Sequence, residues 1–191
     1  IAVLLPNLRG SESYSREFMT QLGDYHVYDR PFADLTSGLD LLVKDGIADP
    51  QTLGVYGHSY GANLTVWAVG HTTRFRGALA SCGVYNEEVC FRMAGSSFVT
   101  INEACREGVD TEALWRGQPE LWSQLDPIRH FERIATPLLL IETSAEERKP
   151  TSARSLFTLL RRRGIETYLV GYSKAFHTGG WNPGYQEDYM R

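Results

Sequence analysis

The chain has 191 residues, the span of a single domain at about 100–200 residues each. Apolar residues make up 42% and charged residues 22%, which excludes a disordered, collagen-like or coiled-coil chain. Lys plus Arg number 19 against 23 Asp plus Glu, a net charge of −4, so there is no broad positive footprint for nucleic acid or an anionic membrane.

Ile1 to Leu5 is a continuous apolar run ending in Pro6, Asn7 and Gly10. It reads as a strand buried on both faces, as at the centre of a parallel sheet. Because the chain starts inside this run, without Met, it is expected to be a piece of a longer polypeptide. Ser11 to Ser15 is a polar loop. Phe32, Leu35, Leu39 and Leu42 recur at helical spacing, with Gly46 where a C-terminal cap belongs. Asp49-Pro50 marks a turn. Leu53, Val55 and Tyr56 predict a short strand running into Gly57, and Asn63 to Val69 a buried helix.

Gly77 to Ala80 is another short strand. Residues 86–135 hold scattered aromatics, glycines and prolines without a strong strand, and read as short helices inserted between strands. Pro137 to Ile141 is the next buried strand. Ala153, Leu156, Phe157 and Leu160 form a helix stripe closed by Gly164. The triple arginine Arg161 to Arg163 is a solvated helix end that suits the helix dipole. Thr167 to Val170 is the last strand, and residues 184–191 read as the start of a helix. Alternating strands and helices predict an α/β fold with a mostly parallel sheet and helices on both faces.

The longest apolar runs hold about five residues, against about 20 for a bilayer span, so no transmembrane helix is expected. Cys82, Cys90 and Cys105 are an odd count without metal-ligand spacing. A reduced interior fits them better than an oxidising compartment, although one bridge plus a free thiol is compatible with the count.

Gly57-His58-Ser59-Tyr60-Gly61 is G-x-S-x-G between a predicted strand and a predicted helix, the context a nucleophile elbow requires. The turn is tight enough to demand small neighbours, and it lifts the Ser59 hydroxyl clear of the sheet. It also aims a helix N-terminus at the reaction centre, with the Tyr60 backbone N–H as one oxyanion donor.

Serine needs a base, and in this arrangement the order is Ser, acid, His. His71, His130 and His177 follow Ser59. His71 lies in or just past the helix that Ser59 opens and should point away. His130 sits in the amphipathic segment Ile128 to Ile134, where a structural role is expected. His177 follows the last predicted strand, in a loop rich in Gly and aromatics, and is the expected general base. The acid should follow Pro137 to Ile141, where Glu142, Glu146 and Glu147 are candidates. Loop position alone does not choose among them. Val84 and Tyr85 are candidates for the pocket wall, and Phe91 and Phe98 lesser ones, with a place in the core the favoured reading for all four.

These residues resemble the catalytic domain of the prolyl oligopeptidase family of serine peptidases, which includes acylaminoacyl and dipeptidyl peptidases. Asn7 to Phe18, NLRGSESYSREF, is similar to the family's N-x-R-G-S-x-G-Y-G-x-x-F. Gly23-Asp24-Tyr25 resembles G-D-W. Asp49 to Gly61, with Thr65, Trp67 and Ala68, resembles D-P-x-R-L-G-V-x-G-x-S-Y-G-G-Y-M-T-x-W-A. Thr73 to Arg76, Gly83 to Asn86 and Thr136 to Ile141 continue the likeness, which runs over nearly the whole chain. It implies a single, partial α/β-hydrolase catalytic domain over residues 1–191, with a helical insertion around 86–135.

By the resemblance, Ser59 matches the family nucleophile and His177 the histidine of Y-x-x-x-x-H, beginning at Tyr172. The family's acid loop, roughly H-G-x-x-D-x-R-V-P, aligns with Glu142 to Pro150. Arg148 and Pro150 set the register, so Glu146 stands in the place of Asp. Glu142 for His and Thr143 for Gly are departures, as are Ser13, Ser15 and Ala62 for glycines. The second oxyanion donor is expected upstream of Ile1. The implied activity is hydrolysis of small peptides through an acyl-enzyme on Ser59, with no metal or organic cofactor. The expected partners are a small peptide or acyl substrate and the rest of the longer chain. A carboxylesterase acting on small acyl esters and a non-catalytic hydrolase-like binding domain are the alternatives.

Overall fold

The computed structural model describes residues 1–12, 14–22, 25–94, 116, 119–143, 152–172 and 177. They fall into two compact units, one of Ile1–Leu53 with Glu87–Asp126, the other of Gly54–Asn86 with Pro127–Arg191. Of the segment around 86–135, Glu87–Asp126 falls in the first unit, and Asn86 and the residues from Pro127 on fall in the second. Among the described residues no helix is long and apolar enough to cross a membrane.

In the first unit, α1 (Arg16–Thr20) and α2 (Asp29–Lys44) are followed by α4 (Glu87–Ala94) and α5 (Pro119–Leu125). Ser15 caps α1, its hydroxyl accepting from the Phe18 N–H at 3.0 Å. Helix α2 ends as its stripe predicts. Gly46, at φ +70°, sends its N–H to Val43, and Ile47 sends its own to Leu42, the paired bonds of a Schellman cap. Arg9 pairs with Asp34 at 2.8 Å and also donates to the Arg30 carbonyl at 3.1 Å. That bond to Asp34 raises the Arg9 pKa further. Phe91 packs against Trp122, ring centroids 5.7 Å apart, and is buried. Phe98 lies outside the described residues.

One expectation fails here. Ile1 to Leu5 is not a strand, and Ile1, Val3 and Leu5 are exposed. Among the described residues the run forms no strand pairing, and a strand is defined by that pairing.

The second unit holds the sheet. Strands β1 (Gly54–His58), β2 (Gly77–Ser81), β3 (Leu138–Thr143) and β4 (Thr167–Tyr172) lie side by side in chain order, all parallel. Register pairs His58 with Ser81, Ser81 with Ile141, and Thr143 with Tyr172. Leu79, Leu139, Ile141, Val170 and Tyr172 cluster together. Helix α3 (Tyr60–Val69) connects β1 to β2 and is buried from Ala62 to Val69, as its apolar run predicts. Helix α6 (Ser152–Arg162) connects β3 to β4, burying Ala153, Leu156 and Leu160.

Helix α6 ends in the same cap as α2: Gly164, at φ +76°, bonds Arg161, and Ile165 bonds Leu160. The triple arginine is more than a solvated end. Arg163 donates to the carbonyls of Phe131 at 2.6 Å and Ile134 at 2.9 Å, closing the 3-10 helix Pro127–Arg133.

Candidate active site

Strand β1 runs straight into the turn that carries Ser59. The β1–β2 ladder continues one step beyond β1, with the Ser59 N–H donating to the Ser81 carbonyl at 2.8 Å. Ser59 then takes φ 57° and ψ −120°, a region an L-residue enters only when its surroundings compel it, at a cost of about 1–3 kcal/mol. A Cβ at Gly57 would lie 2.0 Å from the Gly61 carbonyl oxygen, whereas a Cβ at Gly61 would meet nothing within 4 Å. The steric demand for glycine thus falls on position 57, rather than on both positions as the motif suggests.

Ser59 is the N-cap of α3, yet its side chain makes no capping bond. The Ala62 and Asn63 N–H groups bond the Ser59 carbonyl at 3.0 and 3.3 Å, and Tyr60 is the first helical residue. The Ser59 hydroxyl instead meets His177, with Nε2 to Oγ at 2.8 Å across a sequence separation of 118. Two of the residues singled out by sequence are therefore in hydrogen-bond contact. His177 also packs beside His58, ring centroids 5.0 Å apart and tilted by 46°.

The two other histidines that follow Ser59 are placed elsewhere, as expected. His71 lies past the end of α3, donates from Nδ1 to the Trp67 carbonyl at 2.7 Å and stacks on Trp67. His130 meets Trp67 edge-on, ring centroids 4.7 Å apart.

Of the acid candidates, Glu142 is half-buried near the end of β3. Burial pushes its carboxyl above the ordinary range, opposed by the charge and the backbone N–H of Arg154. Glu146 and Glu147, with Arg148 and Pro150, lie outside the described residues.

The pocket-wall candidates take the following places. Tyr85 is wholly buried. Its hydroxyl donates to the Ala80 carbonyl at 3.2 Å, and its N–H to Ser152 Oγ at 3.1 Å. Burial raises the pKa of its phenol. It is a core residue, drawn inside because an aromatic ring buries a large apolar area when its hydroxyl finds a partner. Val84 is half-buried, and its N–H donates to Asn63 Oδ1 at 2.8 Å. Sequence reasoning passed over Asn63, a buried amide in a mostly apolar helix. That polarity was itself the signal, because a buried amide requires a partner.

The profile of the prolyl oligopeptidase family matches residues 1–191. The chain belongs to the prolyl oligopeptidase family. It is 32% identical over 181 residues to the uncharacterized peptidase YuxL of Bacillus subtilis (strain 168), covering 92% of this chain and 26% of that protein. It is 26% identical over 185 residues to acylamino-acid-releasing enzyme 1 of Oryza sativa subsp. japonica, covering 92% and 23%. The chain thus spans about a quarter of the length of these curated relatives.

Among solved structures, a Pyrococcus horikoshii acylaminoacyl peptidase matches with TM-score 0.78 at 22% identity, covering 95% of this chain and 29% of that one. An acylaminoacyl peptidase in complex with Z-Gly-Gly-Phe-chloromethyl ketone also matches at 0.78 and 22%, covering 97% and 31%. These likenesses establish the α/β-hydrolase fold of this member of the prolyl oligopeptidase family, with its parallel sheet and flanking helices.

Proposed function

We propose that this chain carries the reaction centre of a serine peptidase that cleaves amide bonds of small peptides through an acyl-enzyme on Ser59. The observation that carries this reading is the 2.8 Å contact of His177 Nε2 with Ser59 Oγ. That is the distance over which a general base takes a hydroxyl proton. The family match, and relatives named as peptidases and acylamino-acid-releasing enzymes, support an amide as the scissile bond. The neighbour holding a peptide chloromethyl ketone supports a peptide as the acyl donor.

As His177 Nε2 takes its proton, Ser59 Oγ bonds the carbonyl carbon. The carbonyl oxygen becomes an oxyanion facing the Tyr60 N–H at the start of α3, an interaction of about 2.7–4 kcal/mol per donor. The carbon–nitrogen bond then breaks as the imidazolium returns the proton to the leaving amine. Water, activated by the same imidazole, releases the acyl group and restores the Ser59 hydroxyl. Glu146, by its family register, orients His177 and stabilises the imidazolium.

The test is a fluorophosphonate probe on the full-length protein, followed by turnover of peptide amides and aryl esters. Labelling confined to Ser59, with amide turnover, is the expected result. Ester turnover without amide turnover assigns a carboxylesterase, and absence of labelling assigns a non-catalytic binding domain.

A further inference from the structure

The family pattern leaves the residue before the serine unspecified, and in this chain it is a second imidazole. His58 ends β1 and is half-buried. Its ring lies 5.0 Å from that of His177, centroid to centroid, tilted by 46°, within the range of paired rings in contact. His58 Nδ1 lies 3.3 Å from Ser81 Oγ, and Ser81 is wholly buried in β2. The same Ser81 holds the Ser59 backbone through its carbonyl at 2.8 Å. One residue of β2 therefore anchors both the turn that carries the hydroxyl and the ring beside the base.

We infer that His58 is a positioning residue, whose ring, held by Ser81, keeps the His177 imidazole aligned on Ser59 Oγ. The inference rests on the reading of Ser59 and His177 as nucleophile and base. His177 lies five positions past the end of β4, so the protein must fix its ring sideways as well as through the bond to Ser59. A ring beside it limits rotation about its side-chain bonds. An imidazole displaced by about 1 Å costs on the order of 100-fold in rate. The contact serves the step in which the proton moves, not substrate binding.

The experiment uses the full-length protein and four forms: wild type, His58→Ala, His58→Phe and His58→Leu. The readouts are the rate of fluorophosphonate labelling of Ser59 and kcat and KM on a peptide amide. His58→Ala is expected to lower labelling and kcat by about 10–100-fold while KM stays within about twofold. His58→Phe restores the ring and returns both rates to within about threefold of wild type. His58→Leu, a similar volume without a ring, behaves like alanine and gives the same comparison should His58→Ala fail to fold. Wild-type rates in the leucine or alanine variant overturn the inference, as does a phenylalanine variant no better than leucine. A wild-type protein that labels while all variants match it defeats the inference alone. A wild-type protein that never labels defeats the underlying reading together with it.

Discussion

A methyl group on Gly57 would sit 2.0 Å from the carbonyl oxygen of Gly61, at the point where β1 gives way to α3. No real Cβ tolerates that approach, so Gly57→Ala forces the elbow open. We expect a loss of at least about 1–3 kcal/mol and no labelling of Ser59. Gly61→Ala is the contrasting case. Its Cβ enters open space inside a helix, where alanine is favoured over glycine by about 1 kcal/mol. Thermal midpoints and labelling of the two variants check the asymmetry.

Replacing the groups in contact at 2.8 Å separates chemistry from folding. Ser59→Ala and His177→Gln should keep the wild-type thermal midpoint within a few degrees, yet lower kcat by about 10⁴–10⁶-fold. A general-base imidazole must be neutral to accept the proton. The wild-type rate should therefore fall in acid as the imidazole takes up a proton. A rate that stays flat from pH 8 to pH 5 would remove His177 from the role.

The acid is assigned by register and is tested by three amides. Glu146→Gln should lower kcat by about 10²–10⁴-fold, with Glu142→Gln and Glu147→Gln near wild type. Full activity in Glu146→Gln moves the role to another carboxylate.

Glu142 should instead appear in the pH dependence of stability. Burial raises its carboxyl pKa in the folded protein. Between the ordinary glutamate value and the raised one, the folded state keeps a proton that the unfolded chain has released. Stability therefore falls as pH rises through that window. Glu142→Gln removes the titration and flattens the slope. Urea midpoints of the two proteins across pH 4 to 8 would reveal it, and parallel curves would contradict it.

Tyr85→Phe removes the hydroxyl that bonds the Ala80 carbonyl. A cost of about 1 kcal/mol is expected, with KM unchanged because the ring is wholly buried. A KM effect without a stability effect would return Tyr85 to the pocket.

What the sequence reveals here depends on whether a signal is local. The four strands and the long helices are legible because buried parallel strands are short apolar runs and α2 and α6 carry apolar stripes. Gly46 and Gly164 mark both caps. The contact between Ser59 and His177 is anticipated as well, one residue picked out by its turn and the other by its place after the last strand. Ile1 to Leu5 misleads because apolarity alone does not supply a neighbour. Helix α1 is too short, at five residues, to show any period. Tyr85 takes the core place that the sequence favoured, because an aromatic just past a strand end buries a large apolar area when its hydroxyl finds a partner. His58 escapes notice because a motif with a free position carries no information there, and its contact with a ring 119 positions away is set by the sheet rather than by any local pattern.

The hydroxyl and the imidazole leave opposite ends of a four-strand row, β1 and β4. Three ladder steps of about 4.8 Å separate those strands, roughly 14 Å in all. A gap of 2.8 Å at the tip is thus a gauge of the whole row: slippage between any two neighbours reaches it. Turnover should then vanish in one cooperative step with the sheet's circular-dichroism signal, making the chemistry itself a readout of the row's integrity.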